Sequence, residues 1–146
     1  MIDALHATTE EISDYVGAAA SRVSREDGGQ LNYLLTSPDG SLLVSASAGY
    51  WSGIMADLRA DVAVLAIAGR PNLDGEPFQG SLAQFVAAEV ATLRPRRVVF
   101  CHHDAWLPPL PAIDAEPVAR ELAAQAPWAE LVELGYSNPV PILRRL

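Results

Sequence analysis

Two almost uninterrupted apolar runs constrain this chain more than any other feature. "DVAVLAI" (61–67) and "RRVVFCH" (96–102) are rich in β-branched residues, and between them "SLAQFVAAEVATL" (81–93) sets Leu82, Phe85, Val86, Val90 and Leu93 on one helical stripe. A strand without polar alternation is buried on both faces, as strands of parallel sheets are. Strand, helix and strand in that order close as a parallel crossover, right-handed by the general rule. Ser81 stands where an N-cap is wanted, and Pro95 follows just past the helix end.

The other segments arrange themselves around this unit. "LNYLLTS" (31–37) and "SLLVSAS" (41–47) are β-prone runs joined by Pro38-Asp39-Gly40, which predicts a hairpin. "AGYWSGIMADLRA" (48–60) places Trp51, Ile54, Met55 and Leu58 at helical spacing and predicts one short helix. "AGRPNLDGEPFQG" (68–80) reads as a loop at the carboxyl end of the first buried strand. "DAEPVARELAAQA" (114–126) reads as a further helix with an Asp114 cap, and "WAELVELGY" (128–136) and "PVPIL" (139–143) as closing edge strands. Residues 1–27 are mixed and helix-tolerant, with weak apolar marks at Leu5, Ile12 and Val16. The expectation is one α/β domain spanning residues 1–146, with no internal repeat.

Composition excludes several classes of function. The chain has 146 residues, half of them hydrophobic, enough for one domain with a real core. Ten basic residues against 18 acidic ones give a net charge of −8, which argues against nucleic acid as a partner. Cys101 is the single cysteine, so neither a disulfide framework nor a thiolate metal site is available, and a reducing cytoplasm fits best. No leader-like start and no run of about 18 apolar residues is present, so neither export nor a membrane span is expected.

In α/β sheets ligands gather beyond the carboxyl ends of the parallel strands. One such end carries Gly69, Arg70, Asn72 and Asp74; the other carries His102, His103 and Asp104. Histidine is the commonest metal ligand, and a nearby carboxylate can hold its tautomer. Neighbouring residues on a strand face opposite ways, however, so His102 and His103 cannot both ligate one ion without a kink. Cys101 reads as a small buried hydrophobe, and Arg94, Arg96 and Arg97 as a solvated group near a helix C-terminus.

"GGQLNYLLTSPDGSLLVSASAGYWSGIMADLRADVAVLAIAGRPN" followed by "LRPRRVVFCHHDAWLPPL" resembles the C-terminal half of the metallo-β-lactamase-fold hydrolases, over residues 28–110. The likeness is to the branch whose members carry a Gly-Ser-Ala-like turn after the hairpin and a final His-x-Asp-Asp-aromatic motif before Pro-Leu, where this chain reads His102-His103-Asp104-Ala105-Trp106. It implies half of an αββα sandwich and a zinc-dependent hydrolase using metal-bound hydroxide on an ester, amide or phosphoester. By the same resemblance His102 is a metal ligand, His6 matches an earlier metal-binding histidine, and Asp104 is the catalytic carboxylate supporting His102. Ser47 falls where many members place a metal-bridging aspartate, and Arg70 and Trp106 line the substrate pocket. The His-x-His-x-Asp-His signature of the first half is absent from the sequence.

Three readings follow. The first is a hydrolase half whose zinc site is completed by a complementary N-terminal half, with a small-molecule substrate. The second is a non-catalytic assembly or binding module, including a homo-oligomer. The third is an independent doubly wound α/β domain, against which stand the hairpin start and the lack of a glycine-rich phosphate turn.

Overall fold

Pro38 and Asp39 turn the chain between β1 (Tyr33–Ser37) and β2 (Gly40–Ser45), which pair antiparallel from Ser37↔Gly40 to Tyr33↔Val44. Gly40 sits at φ 137°, and a Cβ there would lie 3.0 Å from Asp61 Oδ2 and 3.1 Å from Leu143, so the position needs glycine on both counts. The computed structural model describes residues 31–104, 112–135, 137 and 139–143.

Beyond β2 come β3 (Gly49–Tyr50), α1 (Ser52–Met55) and the first buried strand, β4 (Val62–Ala66). A small hairpin, β5 (Asn72–Leu73) and β6 (Glu76–Pro77), precedes α2 (Leu82–Leu93) and the second buried strand, β7 (Arg97–Cys101). The described chain closes with α3 (Glu116–Gln125) and β8 (Glu130–Leu131). The main sheet has the order β1-β2-β4-β7-β8, with every pair after the hairpin parallel. The fold is α/β.

This strand order decides where the helices go. From β2 to β4 to β7 to β8 each crossover steps in the same direction, so right-handed connections put every linking helix on one face. Packing agrees: Met55 of α1, Phe85, Val86, Val90 and Leu93 of α2, and Val118 and Leu122 of α3 share one core cluster with Leu43, Ala63, Leu65 and Val98. Each large side chain fully buried there contributes roughly 1.5–3 kcal/mol. By alternation the opposite face carries Leu42, Val44, Val62, Val64, Ala66, Val99 and Cys101, and no described helix contributes to it.

At the amino edge Asp61 joins three strands. Its carboxylate accepts from Ser41 N at 2.8 Å and Ser41 Oγ at 2.9 Å, and its carbonyl accepts from Arg96 N and Arg97 N. The two Ser41 bonds hold its carboxyl below the usual carboxylate range. Ser81 caps α2 in a reciprocal box, accepting from Gln84 N while Gln84 Oε1 accepts from Ser81 N.

Several local expectations are corrected. The loop at 68–80 contains β5 and β6, because Asp74 and Gly75, at φ 55° and 86°, form a two-residue Asp-Gly turn of the hairpin kind. The short helix is a single turn with only Met55 buried, and Ile54 is exposed. Ala115, not Asp114, is the N-cap of α3, while Asp114 Oδ1 accepts from Glu116 N. The stretch 139–143 forms no strand, since Pro139 and Pro141 remove alternate donors from any ladder. Arg94 and Arg97 are not simply solvated. The Arg94 guanidinium lies 4.7 Å from the Trp128 ring centroid, and Arg97 donates to Glu130 Oε2 and to the Ile142 carbonyl, both at 2.9 Å. No described helix is long and apolar enough to cross a membrane.

Candidate functional site

The parallel register brings three strand ends to one edge. Ser45 of β2, Leu65 of β4 and Phe100 of β7 stand in one row, Ala66 pairs with Cys101, and Ile67 N donates to the Cys101 carbonyl as the last rung. The next residue is His102, where the ladder ends in a backbone turn of φ 62°. For a residue with a Cβ this left-handed conformation costs about 1–2 kcal/mol. It also supplies a kink that strand alternation does not contain.

The kink separates the two histidines. His102 is exposed, while His103 is recessed, and Nδ1 of His103 is buried with no hydrogen-bond partner among the described residues. Asp104 is exposed, its Oδ1 3.8 Å from His103 Nε2, beyond direct hydrogen-bond reach. The His103 carbonyl accepts from Ile113 N at 2.8 Å. Arg70 is exposed just after Gly69, in the loop leaving β4, and Ser47 is exposed in the loop leaving β2. These two loops are joined by a second sheet, β3-β5-β6, in which Asp74 also accepts from Ser52 N and Ser52 Oγ at 2.6 and 2.7 Å. Topology thus puts Ser47, Arg70, His102 and Asp104 in loops at one edge. His6 and Trp106 lie outside the described residues.

A catalytic zinc ion takes about three protein ligands and leaves one position for water. No group of three or more His, Cys, Asp or Glu side chains suited to a metal ion occurs among the described residues. These donors by themselves therefore do not fit a zinc site.

Two features were missed from the sequence. One is Glu89, buried on α2 at 1% exposed beside Ser45, which is equally buried. Burial raises the Glu89 carboxyl to about 7, and the Ser45 hydroxyl offsets part of the rise. Neither Glu89 Oε1 nor Ser45 Oγ completes a hydrogen bond among the described residues. Burial, with the Glu89 charge second, also raises the Tyr50 phenol and the Cys101 thiol, so Cys101 is held away from a nucleophilic thiolate. The second feature is a cleft of about 270 Å³ beside His103, lined also by Phe100, Leu131, Leu134, Glu116 and Glu133. Glu89 carried a readable signal, because it falls on the apolar stripe between Val86 and Val90.

Comparisons with protein-family models, with curated proteins and with solved structures find no match to this chain, so its own geometry carries the functional argument.

Proposed function

We propose that this chain is the helix-covered half of an αββα sandwich of metallo-β-lactamase type and acts as one half of a hydrolase. It supplies the His102 corner, supported by Asp104, of a zinc site whose remaining ligands come from a complementary half bearing His-x-His-x-Asp-His. One observation carries the reading. All described helices pack on one face of a parallel sheet whose other face is apolar, with Val62, Ala66 and Val99 buried and Leu42, Val44, Val64 and Cys101 only partly so; parallel sheets are covered on both faces. His102 follows the last rung of β7 at the carboxyl edge of that sheet and is exposed there, which would leave it open to ligands from a complementary half. The substrate in this reading is a small-molecule ester, amide or phosphoester, with Arg70 and Trp106 lining its pocket. In this reading the zinc site is complete only when the complementary half is present.

Zinc titration by calorimetry tests this, first on the chain alone and then with a polypeptide carrying the missing motif. The expected result is no stoichiometric site in the chain alone, one in the complex, and a loss of roughly 100-fold or more in affinity for His102→Ala. Zinc binding by the complex that ignores His102→Ala overturns the assignment.

A non-catalytic assembly module is the second reading, favoured by one observation. β1 is an edge strand exposed along its whole length, with Tyr33 and Leu35 at 58% and 56% exposed, and such edges pair with other chains. Light scattering on the same samples separates the two: association without zinc uptake in either setting selects the second.

A further inference from the structure

The cleft beside His103 is distinct from the edge where His102 stands. Phe100 and Leu131 belong to the rows that face the helices, through the pairs Leu65↔Phe100 and Val98↔Leu131, so the cleft opens on the helix side of the sheet. Its walls are Phe100, Ala119 and Leu131, and Leu134 lines it while remaining largely exposed. At about 270 Å³ it has room for a small molecule with an apolar body.

The polar groups choose the sign of the ligand. His103, Glu116 and Glu133 are the polar side chains that line the cleft. The start of α3 would ordinarily attract an anion, but here Asp114 already accepts from Glu116 N, and Glu116 itself stands in the first turn. Arg120 is the cation beside these groups, 3.7 Å from Glu116 on the exposed surface of α3. Glu133 has no such neighbour among the ion pairs of the described residues. The net charge of −8 adds a general attraction for cations.

We propose that this cleft binds a small organic cation, with the apolar body against Phe100, Leu131 and Leu134 and a protonated amine between Glu133, Glu116 and the His103 ring. The site does not depend on zinc or on a complementary half.

Benzylammonium, benzyl alcohol and benzoate serve as matched probes, titrated into the full chain with a chelator present and followed by NMR. The expected result is saturable benzylammonium binding that moves the His103 ring resonances, with benzoate weaker by about tenfold or more. Glu133→Gln, at an exposed position that leaves the fold intact, weakens benzylammonium by roughly three- to tenfold and leaves benzyl alcohol unchanged. Benzoate binding as tightly as benzylammonium, no saturable benzylammonium binding, or affinity indifferent to Glu133→Gln each overturns the proposal. The chelator keeps this outcome separate from the fate of the zinc reading.

Discussion

Replacing Glu89 with glutamine should remove a pH dependence from the stability of this domain. The carboxyl is buried against Ser45 and its proton is held up to about 7, against 4.5 for an exposed glutamate. The folded state therefore binds the proton more tightly than the unfolded state does. Between those two values stability falls as pH rises, by about 1.4 kcal/mol per pH unit. Over the whole interval the loss is about 3 kcal/mol, a sizeable share of the roughly 5–15 kcal/mol that holds a domain together. Below 4.5 the contribution is fully present, and above about 7 it is gone and the curve is flat.

Urea unfolding at half-unit steps from pH 4.5 to 8.5 measures this. The stability difference between the parent and Glu89→Gln should grow in favour of glutamine by about 3 kcal/mol across the window, or roughly 6–12 °C in melting temperature. The change with pH is the readout, because an unsatisfied amide adds a pH-independent cost of about 1–3 kcal/mol. Ser45→Ala should move the window to higher pH, since that hydroxyl lowers the carboxyl. Tyr50 and Cys101, also raised by burial and by the Glu89 charge, titrate above the window. A parent-minus-variant difference that stays constant from pH 4.5 to 8.5 would refute the reasoning.

Asp61→Asn removes the charge that two Ser41 bonds stabilise at 2.8 and 2.9 Å, and should cost about 1–2 kcal/mol in urea unfolding at neutral pH. Because the Asp61 carboxyl is held low, its contribution is present above the ordinary aspartate value and is lost as pH falls through the lowered one, an acid window separate from that of Glu89. At His102, where φ is 62°, glycine should match or exceed the parent in stability, while valine should lose about 1–2 kcal/mol. Equal stability of the glycine and valine variants by urea unfolding would show that no backbone strain resides there.

The parallel core was legible because its signals are local and redundant. "DVAVLAI" and the second apolar run each announce burial on two faces, and Ser81, Gln84 and Pro95 mark both ends of the helix between them. The Asp74-Gly75 hairpin was also written in the sequence, but its strands are only two residues long, below the length at which alternation can be seen. β8 is likewise only two residues long, Glu130 and Leu131, within a stretch that reads as a longer strand.

The strand-end site was harder to read, because its geometry depends on one torsion. Extended alternation sends His102 and His103 to opposite faces of a sheet. The left-handed turn at His102 replaces that rule, leaving one imidazole exposed at the end of β7 and recessing the other into the cleft under α3. No propensity forces this turn on a histidine; the fold imposes it, because the last rung from Ile67 N to the Cys101 carbonyl ends the ladder and Ile113 must return to the His103 carbonyl. Two adjacent, chemically identical residues thus acquire different surroundings. Glu89 is the reverse case, conspicuous as the one charge on an apolar stripe, yet with a proton affinity that follows only from the tertiary packing that buries it beside Ser45.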